Sequence, residues 1–217
     1  MIENFYEQKP KSGGDPKQIV ILLHGVGSNG RDLISLAPYF AGAVPDAVFI
    51  SPDAPYPYDQ APPGYDAYQW FPLYTRTFEG RLEGLKAAVP LVHDFMDAQL
   101  KRFNLPASKL ALVGFSQGTM TSLYAGPRYK QKIAGILGYS GALIWEEEMP
   151  ADINTPPVHL IHGDADEVLE VSSYHHAREK LEKSGFTVSG EVEAGLAHSI
   201  NENGIENGAK FLQSVLT

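Results

Sequence analysis

Residues 110–118 read LALVGFSQG, and this stretch decides the fold of the chain. The apolar run from Leu110 to Val113 is typical of a strand that is buried on both faces. It leads directly into a G-x-S-x-G pattern centred on Ser116, and residues 119–124 can continue as a helix. A nucleophile elbow requires this strand–turn–helix context, in which glycines permit a tight turn and the serine is exposed at its apex. The stretch therefore predicts that Ser116 is a nucleophile at the carboxyl edge of a sheet.

Similar apolar runs lie on both sides of this stretch. The predicted strands cover residues 18–23, 47–50, 133–137 and 158–161, with a further run at 187–192. Helical patterns cover residues 31–40, 79–103, 172–184 and 205–216. This alternation indicates an α/β protein with a mostly parallel central sheet and helices on both faces. Together with the elbow, it predicts the α/β-hydrolase fold, and because no linker interrupts it we expect residues 1–217 to form one domain.

Composition excludes several classes of function. The chain has 217 residues, a formal net charge of −9 and no cysteine. The acidic balance argues against nucleic acid as a partner, and the missing thiols exclude disulfides and cysteine nucleophiles. Residues 1–14 carry no apolar signal-peptide core, and no apolar run is long enough to span a membrane. We therefore expect a cytoplasmic protein. The sequence leaves its oligomeric state open between a monomer and a homodimer.

Residues 54–78 break the alternating pattern. They read APYPYDQAPPGYDAYQWFPLYTRTF, without a helical or strand period and with many prolines and aromatic residues. Long loops in compact domains are often functional, and aromatic side chains supply apolar area for an acyl chain. We therefore expect an irregular, pocket-lining loop in which Trp70 and Phe71 contact the substrate.

A serine nucleophile needs a histidine base, which in turn needs a carboxylate partner. In this fold class the chain order is serine, acid, histidine. Five histidines follow Ser116, and only His198 lies in a loop between the last predicted strand and the last helix. The other four fall in a strand, at its end or on a charged helix. The acid should follow the strand at 158–161, where spacing alone leaves both Asp164 and Asp166 open.

Residues 25–30 read GVGSNG, which matches the G-x-G-x-x-G pattern of dinucleotide-binding proteins. Asp53 lies at the end of the next strand, about where a ribose-binding acid is expected. An alternative function is therefore a nicotinamide-dependent oxidoreductase. The chain contains no Tyr-x-x-x-Lys pair, however, and this alternative leaves Ser116 and His198 unexplained. In a hydrolase the same loop supplies an oxyanion-hole N–H, here that of Val26, beside the N–H of Gln117.

Four motifs together resemble the phospholipase/carboxylesterase family of α/β-hydrolases, which includes the acyl-protein thioesterases. They are LHGVG at 23–27, GFSQG at 114–118, HGDAD at 162–166 and GLAHSI at 195–200. The resemblance implies Asp166 as the acid, Val26 and Gln117 as the oxyanion donors, and a position for Trp70 and Phe71 near the acyl pocket. Three positions depart from the family pattern, namely Ser28, Pro72 and Thr119.

These observations predict a serine hydrolase that acts on small-molecule or lipid-like acyl esters or thioesters. Ser116 would attack the carbonyl, His198 would take its proton, and Asp166 would orient His198. No cofactor or metal is required for this chemistry. The departures from the family pattern make a small-molecule carboxylesterase at least as well supported as a protein thioesterase. A third interpretation, a catalytically silent ligand-binding α/β-hydrolase, conflicts with the presence of all three triad residue types.

Overall fold

A central sheet runs through the protein, whose computed structural model describes residues 2–73, 77–147, 150 and 152–217. In chain order the strands are β1 (Phe5–Gln8), β2 (Gln18–Leu23), β3 (Ala47–Pro52), β4 (Tyr56–Pro57), β5 (Tyr68–Gln69), β6 (Leu110–Phe115), β7 (Gly135–Tyr139), β8 (Val158–Gly163) and β9 (Val188–Glu193). Seven of them form the sheet, in the order β1-β3-β2-β6-β7-β8-β9. Only β1 runs antiparallel to its neighbour, so the sheet is mostly parallel.

Six α-helices accompany the strands within the described part of the chain. They are α1 (Gly30–Leu33), α2 (Ala37–Phe40), α3 (Phe78–Phe103), α4 (Gln117–Arg128), α5 (Ser172–Lys183) and α6 (Glu202–Leu216). None of the described helices combines the length and the apolar composition needed to cross a bilayer.

The two faces of the sheet pack against different helices. Along β2, Ile19, Ile21 and Leu23 join an apolar cluster that contains residues of α3, α4 and α5. The alternate residues Val20 and Leu22 join a second cluster with residues of α2 and α6. Both faces of β2 are therefore buried, which explains why its sequence is continuously apolar. The mostly parallel sheet with helices on both faces confirms the predicted α/β-hydrolase fold.

The prediction of one continuous helix at residues 31–40 is wrong. The structure breaks it into α1, a short 3-10 turn from Ile34 to Leu36, and α2. Pro38 lies in the first turn of α2. Proline lacks an N–H, and its ring clashes with the carbonyl four residues earlier, so it favours the first turn of a new helix over continuation of the preceding one.

Two sets of strands were not predicted. Strand β1 reads FYEQ, and it is an edge strand whose residues are only partly buried or exposed. It lacks the continuous apolar run that reveals the inner strands. Strands β4 and β5 pair antiparallel over two residues each and bring together two distant parts of the 54–78 segment. Such short pairs give no detectable period in the sequence.

Candidate active site

Four loops meet at the carboxyl edge of the sheet. They follow β2, β6, β8 and β9, and the loop after β6 is the tight turn at Ser116. The backbone of Ser116 adopts φ 53° and ψ −114°, a conformation that non-glycine residues rarely occupy. Such strain persists where the surrounding structure imposes it, often at functional sites. Ser116 is only 7% exposed, at the start of α4.

The glycines of the turn are required by close packing. A Cβ on Gly118 would lie 1.8 Å from the carbonyl oxygen of Leu23, and a Cβ on Gly114 would lie 2.5 Å from the nitrogen of Thr119. No side chain fits at either position. Strand β2 therefore lies directly against the turn, as an elbow requires.

Ser116, His198 and Asp166 form a continuous row of hydrogen bonds. The Ser116 Oγ lies 3.0 Å from His198 Nε2, and His198 Nδ1 lies 2.7 Å from Asp166 Oδ2. His198 packs against the ring of Phe115, with 5.0 Å between ring centroids. The fold thus brings together three residues that are separated by 82 and 32 positions in the chain.

The carboxylate of Asp166 is buried, and backbone N–H groups of its own loop donate hydrogen bonds to it. Its Oδ1 accepts hydrogen bonds from the N–H groups of Val168 (2.9 Å) and Leu169 (2.8 Å). Burial alone would raise the pKa of Asp166, but these bonds and the one from His198 outweigh it and lower the pKa. The buried His162 closes the loop, because its Nε2 lies 2.7 Å from the carbonyl oxygen of Leu169. Asp166 is therefore held as an anion facing His198.

Asp164 occupies a different position. Its side chain is exposed, and its Oδ1 accepts a hydrogen bond of 2.6 Å from the N–H of Gly195. This bond links the loop after β8 to the loop that carries His198. Asp164 therefore supports the loop and does not contact the imidazole.

Val26, in the loop after β2, lines the pocket that contains Ser116. His24 is buried, with its Nδ1 2.7 Å from the carbonyl oxygen of Gly25, and its Nε2 accepts from the N–H of Ala54 at 3.0 Å. In a trans peptide the C=O and the following N–H point in opposite directions. By holding the Gly25 carbonyl, His24 turns the Val26 N–H away from itself. These contacts of His24 were not predicted, because the histidine was considered only as part of a motif.

Two backbone donors in the pocket have no partner among the described residues. They are the N–H groups of Val26 and Gln117, and both residues line the same pocket as Ser116. Gln117 is the first residue of α4, where backbone N–H groups have no intrahelical acceptor. These donors can bind an anionic oxygen beside Ser116.

The side chain of Gln117 fastens the 54–78 segment to the elbow. Its Oε1 accepts from the N–H of Trp70 at 2.7 Å, and its Nε2 donates to the carbonyl oxygen of Phe71 at 2.8 Å. The indole N–H of Trp70 donates to the carbonyl oxygen of His24 at 2.9 Å. The 54–78 segment is thereby attached to both loops whose backbone N–H groups have no partner among the described residues, the loop of Val26 and the turn of Gln117.

This arrangement differs from the expectation that Trp70 and Phe71 contact the substrate. Both side chains are completely buried and neither lines the pocket, because the segment turns them inward against the core. The pocket beside Ser116 has a volume of about 240 Å³. Three residues of the 54–78 segment line this pocket, namely Tyr58, Gln60 and Leu73. Apolar side chains from other parts of the chain complete the wall, namely Met120, Val168 and Leu169.

Backbone conformation and close packing explain why glycine occupies positions of the G-x-G-x-x-G motif. Gly27 has φ +81°, and a Cβ on Gly30 would lie 2.2 Å from the carbonyl oxygen of Ser51. The carboxylate of Asp53 is buried and accepts a hydrogen bond from the N–H of Gly30 at 2.8 Å. It is therefore occupied within the protein and does not face a nucleotide site. Across the described residues, no cluster of His, Asp and Glu side chains is arranged to hold a metal ion.

Burial lowers the pKa of His24 to about 4, from the ordinary value of 6.5. Between these values the unfolded chain binds a proton that the folded chain does not, so stability is highest above pH 6.5 and falls as the pH drops toward 4. The expected loss from this residue is about 3 kcal/mol in the free energy of unfolding. Urea unfolding at pH 7.5, 6, 5 and 4.5 measures it. His24→Asn should show a shallower pH dependence, and equal slopes for the two proteins would contradict the assignment.

The sheet and the elbow define an α/β-hydrolase. The chain belongs to the phospholipase/carboxylesterase family, whose model matches residues 9–216. It is therefore an enzyme that hydrolyses carboxylic esters.

Individual relatives agree with this membership. The chain is 26% identical to the esterase YpfH of Escherichia coli over 204 residues, which is 94% of this chain and 84% of that one. It is 28% identical to acyl-protein thioesterase 1 of Schizosaccharomyces pombe, covering 91% of this chain and 90% of that one. The crystal structure of esterase PE8 superposes with a TM-score of 0.90 at 35% identity, covering 97% and 98% of the two chains.

Proposed function

We propose that the protein hydrolyses acyl esters and thioesters with Ser116 as nucleophile, His198 as general base and Asp166 as the acid that orients the base. The observation that carries this proposal is the continuous hydrogen-bonded row from Ser116 through His198 to Asp166. The nucleophile lies within hydrogen-bond reach of the base, and the base lies within reach of the acid, which is the geometry of a catalytic triad.

The reaction has two steps. With Asp166 accepting the Nδ1–H of His198, the Nε2 atom is free to take the hydroxyl proton of Ser116 as the oxygen attacks the carbonyl carbon. The tetrahedral intermediate collapses when His198 returns that proton to the leaving alcohol or thiol, which leaves an acyl group on Ser116. A water molecule, activated by His198 in the same way, then releases the carboxylic acid.

The oxyanion of each tetrahedral intermediate is proposed to bind the N–H groups of Val26 and Gln117. Both are backbone donors on loops that packing already fixes, so little reorganisation is needed when charge develops. The role proposed for Trp70 and Phe71 is indirect. Their backbone groups hold the side chain of Gln117, and Trp70 also holds the loop of His24.

The substrate is proposed to be a small ester or thioester. Leu73, Met120 and Leu169 give the pocket apolar walls, and each methylene that a substrate buries there contributes about 0.8 kcal/mol. Relatives named as esterases and as acyl-protein thioesterases support both leaving-group classes. The departures from the family pattern at Ser28, Pro72 and Thr119 favour a small-molecule carboxylesterase over a protein thioesterase.

A fluorophosphonate probe tests this proposal directly. The probe phosphonylates a serine only when a base activates it, so we expect one label per chain, on the peptide that contains Ser116, with loss of p-nitrophenyl butanoate hydrolysis in proportion to labelling. Peptide mass spectrometry and residual activity measure the two quantities. Full activity after complete labelling, or a label on another serine, would contradict the role of Ser116.

A further inference from the structure

An arginine lies in the wall of the pocket that contains Ser116. Arg81 is the fourth residue of α3, and it is partly buried beside Leu73 and Met120. The proposed two-step reaction does not use it. No step of that reaction needs a positive charge at this position.

The guanidinium group of Arg81 has no partner in the described part of the chain. Its Nε atom is buried without a hydrogen bond, and no carboxylate among the described residues forms an ion pair with it. Arg31 also forms no ion pair among the described residues, but it is exposed to solvent. Three other arginines differ. Arg102, Arg128 and Arg178 each form an ion pair with a glutamate. A buried polar group without a partner costs free energy, so an unpartnered group in a native structure calls for an explanation.

Helix stability does not supply that explanation. The N-terminal turn of a helix carries a partial positive charge, which disfavours a cation there. Glu83, on the same helix, pairs with Lys86 and not with Arg81. An apolar side chain would fill the same wall without the cost of desolvating a charge.

We infer that Arg81 binds an anionic group of the substrate, a carboxylate or a phosphate, while Ser116 attacks the ester carbonyl. This inference rests on the proposed function and specifies the substrate class of the same site. A guanidinium group presents a planar fork of N–H donors that matches the oxygens of either anion. The formal net charge of the chain is −9, so a local cation is needed to favour an acidic substrate over a neutral one.

A series of ethyl esters tests the inference on the intact enzyme. The monoethyl esters of glutaric, adipic and pimelic acids are each compared with the neutral straight-chain ethyl ester of the same carbon number. Ethyl 6-aminohexanoate provides the cationic counterpart of the adipate, and ethyl 6-phosphonooxyhexanoate tests phosphate. The hexanoate ester of 3-hydroxypropanoic acid moves the carboxylate to the alcohol part. The rate of acid release gives kcat/KM for each substrate.

Arg81→Gln should lower kcat/KM for at least one anionic ester by between about tenfold and a hundredfold, the value of a hydrogen bond to a charged group. The neutral esters should change by less than about threefold, since Arg81 makes no contact that they need. The cationic ester should be hydrolysed faster than by the wild type. Arg81→Lys should recover part of the anionic rate. The matched control is Arg178→Gln on α5, which should leave every substrate unchanged.

Equal loss on anionic, neutral and cationic esters in Arg81→Gln would overturn the inference, as would no loss on any of them. If Arg81→Gln does not fold, the inference is tested by the kcat/KM values of Arg81→Lys and of the wild type across the same ester series. A wild-type enzyme that hydrolyses no anionic ester faster than the cationic one also overturns it. Whether carboxylate or phosphate shows the Arg81 dependence identifies the anion, and either result supports the inference. Failure of the proposed function itself would be distinct, because the neutral esters would then not be hydrolysed and Ser116 would not be labelled.

Discussion

Ser116→Ala is expected to lower kcat for p-nitrophenyl butanoate by roughly 10⁵- to 10⁶-fold, as loss of the nucleophile does in serine proteases. The hydroxyl is the atom that bonds to the substrate, and no other described side chain is within hydrogen-bond reach of His198 Nε2. The backbone bond from the Ser116 N–H to the carbonyl of Tyr139 remains, so the variant should fold. Circular dichroism and steady-state kinetics measure the two properties.

A matched control for this change is Ser214→Ala. The hydroxyl of Ser214 donates to the carbonyl oxygen of Phe211 on α6, away from the pocket. This variant should keep wild-type kcat. If Ser116→Ala retains more than about a hundredth of wild-type kcat, a loss too small for removal of a nucleophile, hydrolysis does not proceed through Ser116.

Asp166→Asn is expected to lower kcat by about 10⁴-fold, the loss seen when the acid of a serine protease triad becomes an amide. The structure gives the reason. The N–H groups of Val168 and Leu169 both donate to Oδ1, so the oxygen of an asparagine would stay there. The amide NH₂ would then face His198, which would have to accept through Nδ1. The proton would move to Nε2, where it opposes transfer from Ser116.

Asp164→Asn is the matched comparison, since it makes the same chemical change two residues earlier. The bond from the Gly195 N–H ends on Oδ1, and an asparagine oxygen can accept it equally. We expect a loss of only a few-fold in kcat, because the charge of Asp164 does not contact His198. Steady-state kinetics of both variants at pH 7.5 separates the two residues. Equal losses would remove Asp166 from its proposed role.

Most of the sheet could be predicted because its inner strands are buried on both faces. The structure places strand β2 at the predicted residues, and β6 and β8 extend two residues beyond the predicted ends. Three of the four extra residues, Gly114, His162 and Gly163, lack an apolar side chain, so the apolar runs end before the strands do. The polar edge strand β1 carries no such signal and was missed.

The residues that meet at the site were predictable where chain order and local motif restrict the choice. The G-x-S-x-G context indicated Ser116, and the last loop of the chain indicated His198. Spacing could not separate Asp164 from Asp166, because both follow the same strand. The structure separates them by orientation, since only Asp166 faces the imidazole.

The direction in which loop side chains point could not be predicted. Trp70 and Phe71 are in the expected segment, yet they face the core while Tyr58 and Leu73 reach the pocket. A segment without a period offers no rule for which side chain points where. Arg81 was missed for a related reason. On a predicted helix a charged residue is usually solvated, and only the packing of α3 against the pocket reveals its position.

The attachment of the 54–78 segment has a consequence for how such enzymes diversify. Gln117 holds the segment through the N–H of Trp70 and the carbonyl of Phe71, which are backbone groups that almost any amino acid supplies. The indole bond to the loop of His24 and the burial of Trp70 and Phe71 in the core demand particular side chains. Residues of the segment that reach the pocket, such as Tyr58 and Leu73, make no such contact with the elbow. The segment can therefore change at its pocket-facing positions while Trp70 and Phe71 keep it attached to the elbow.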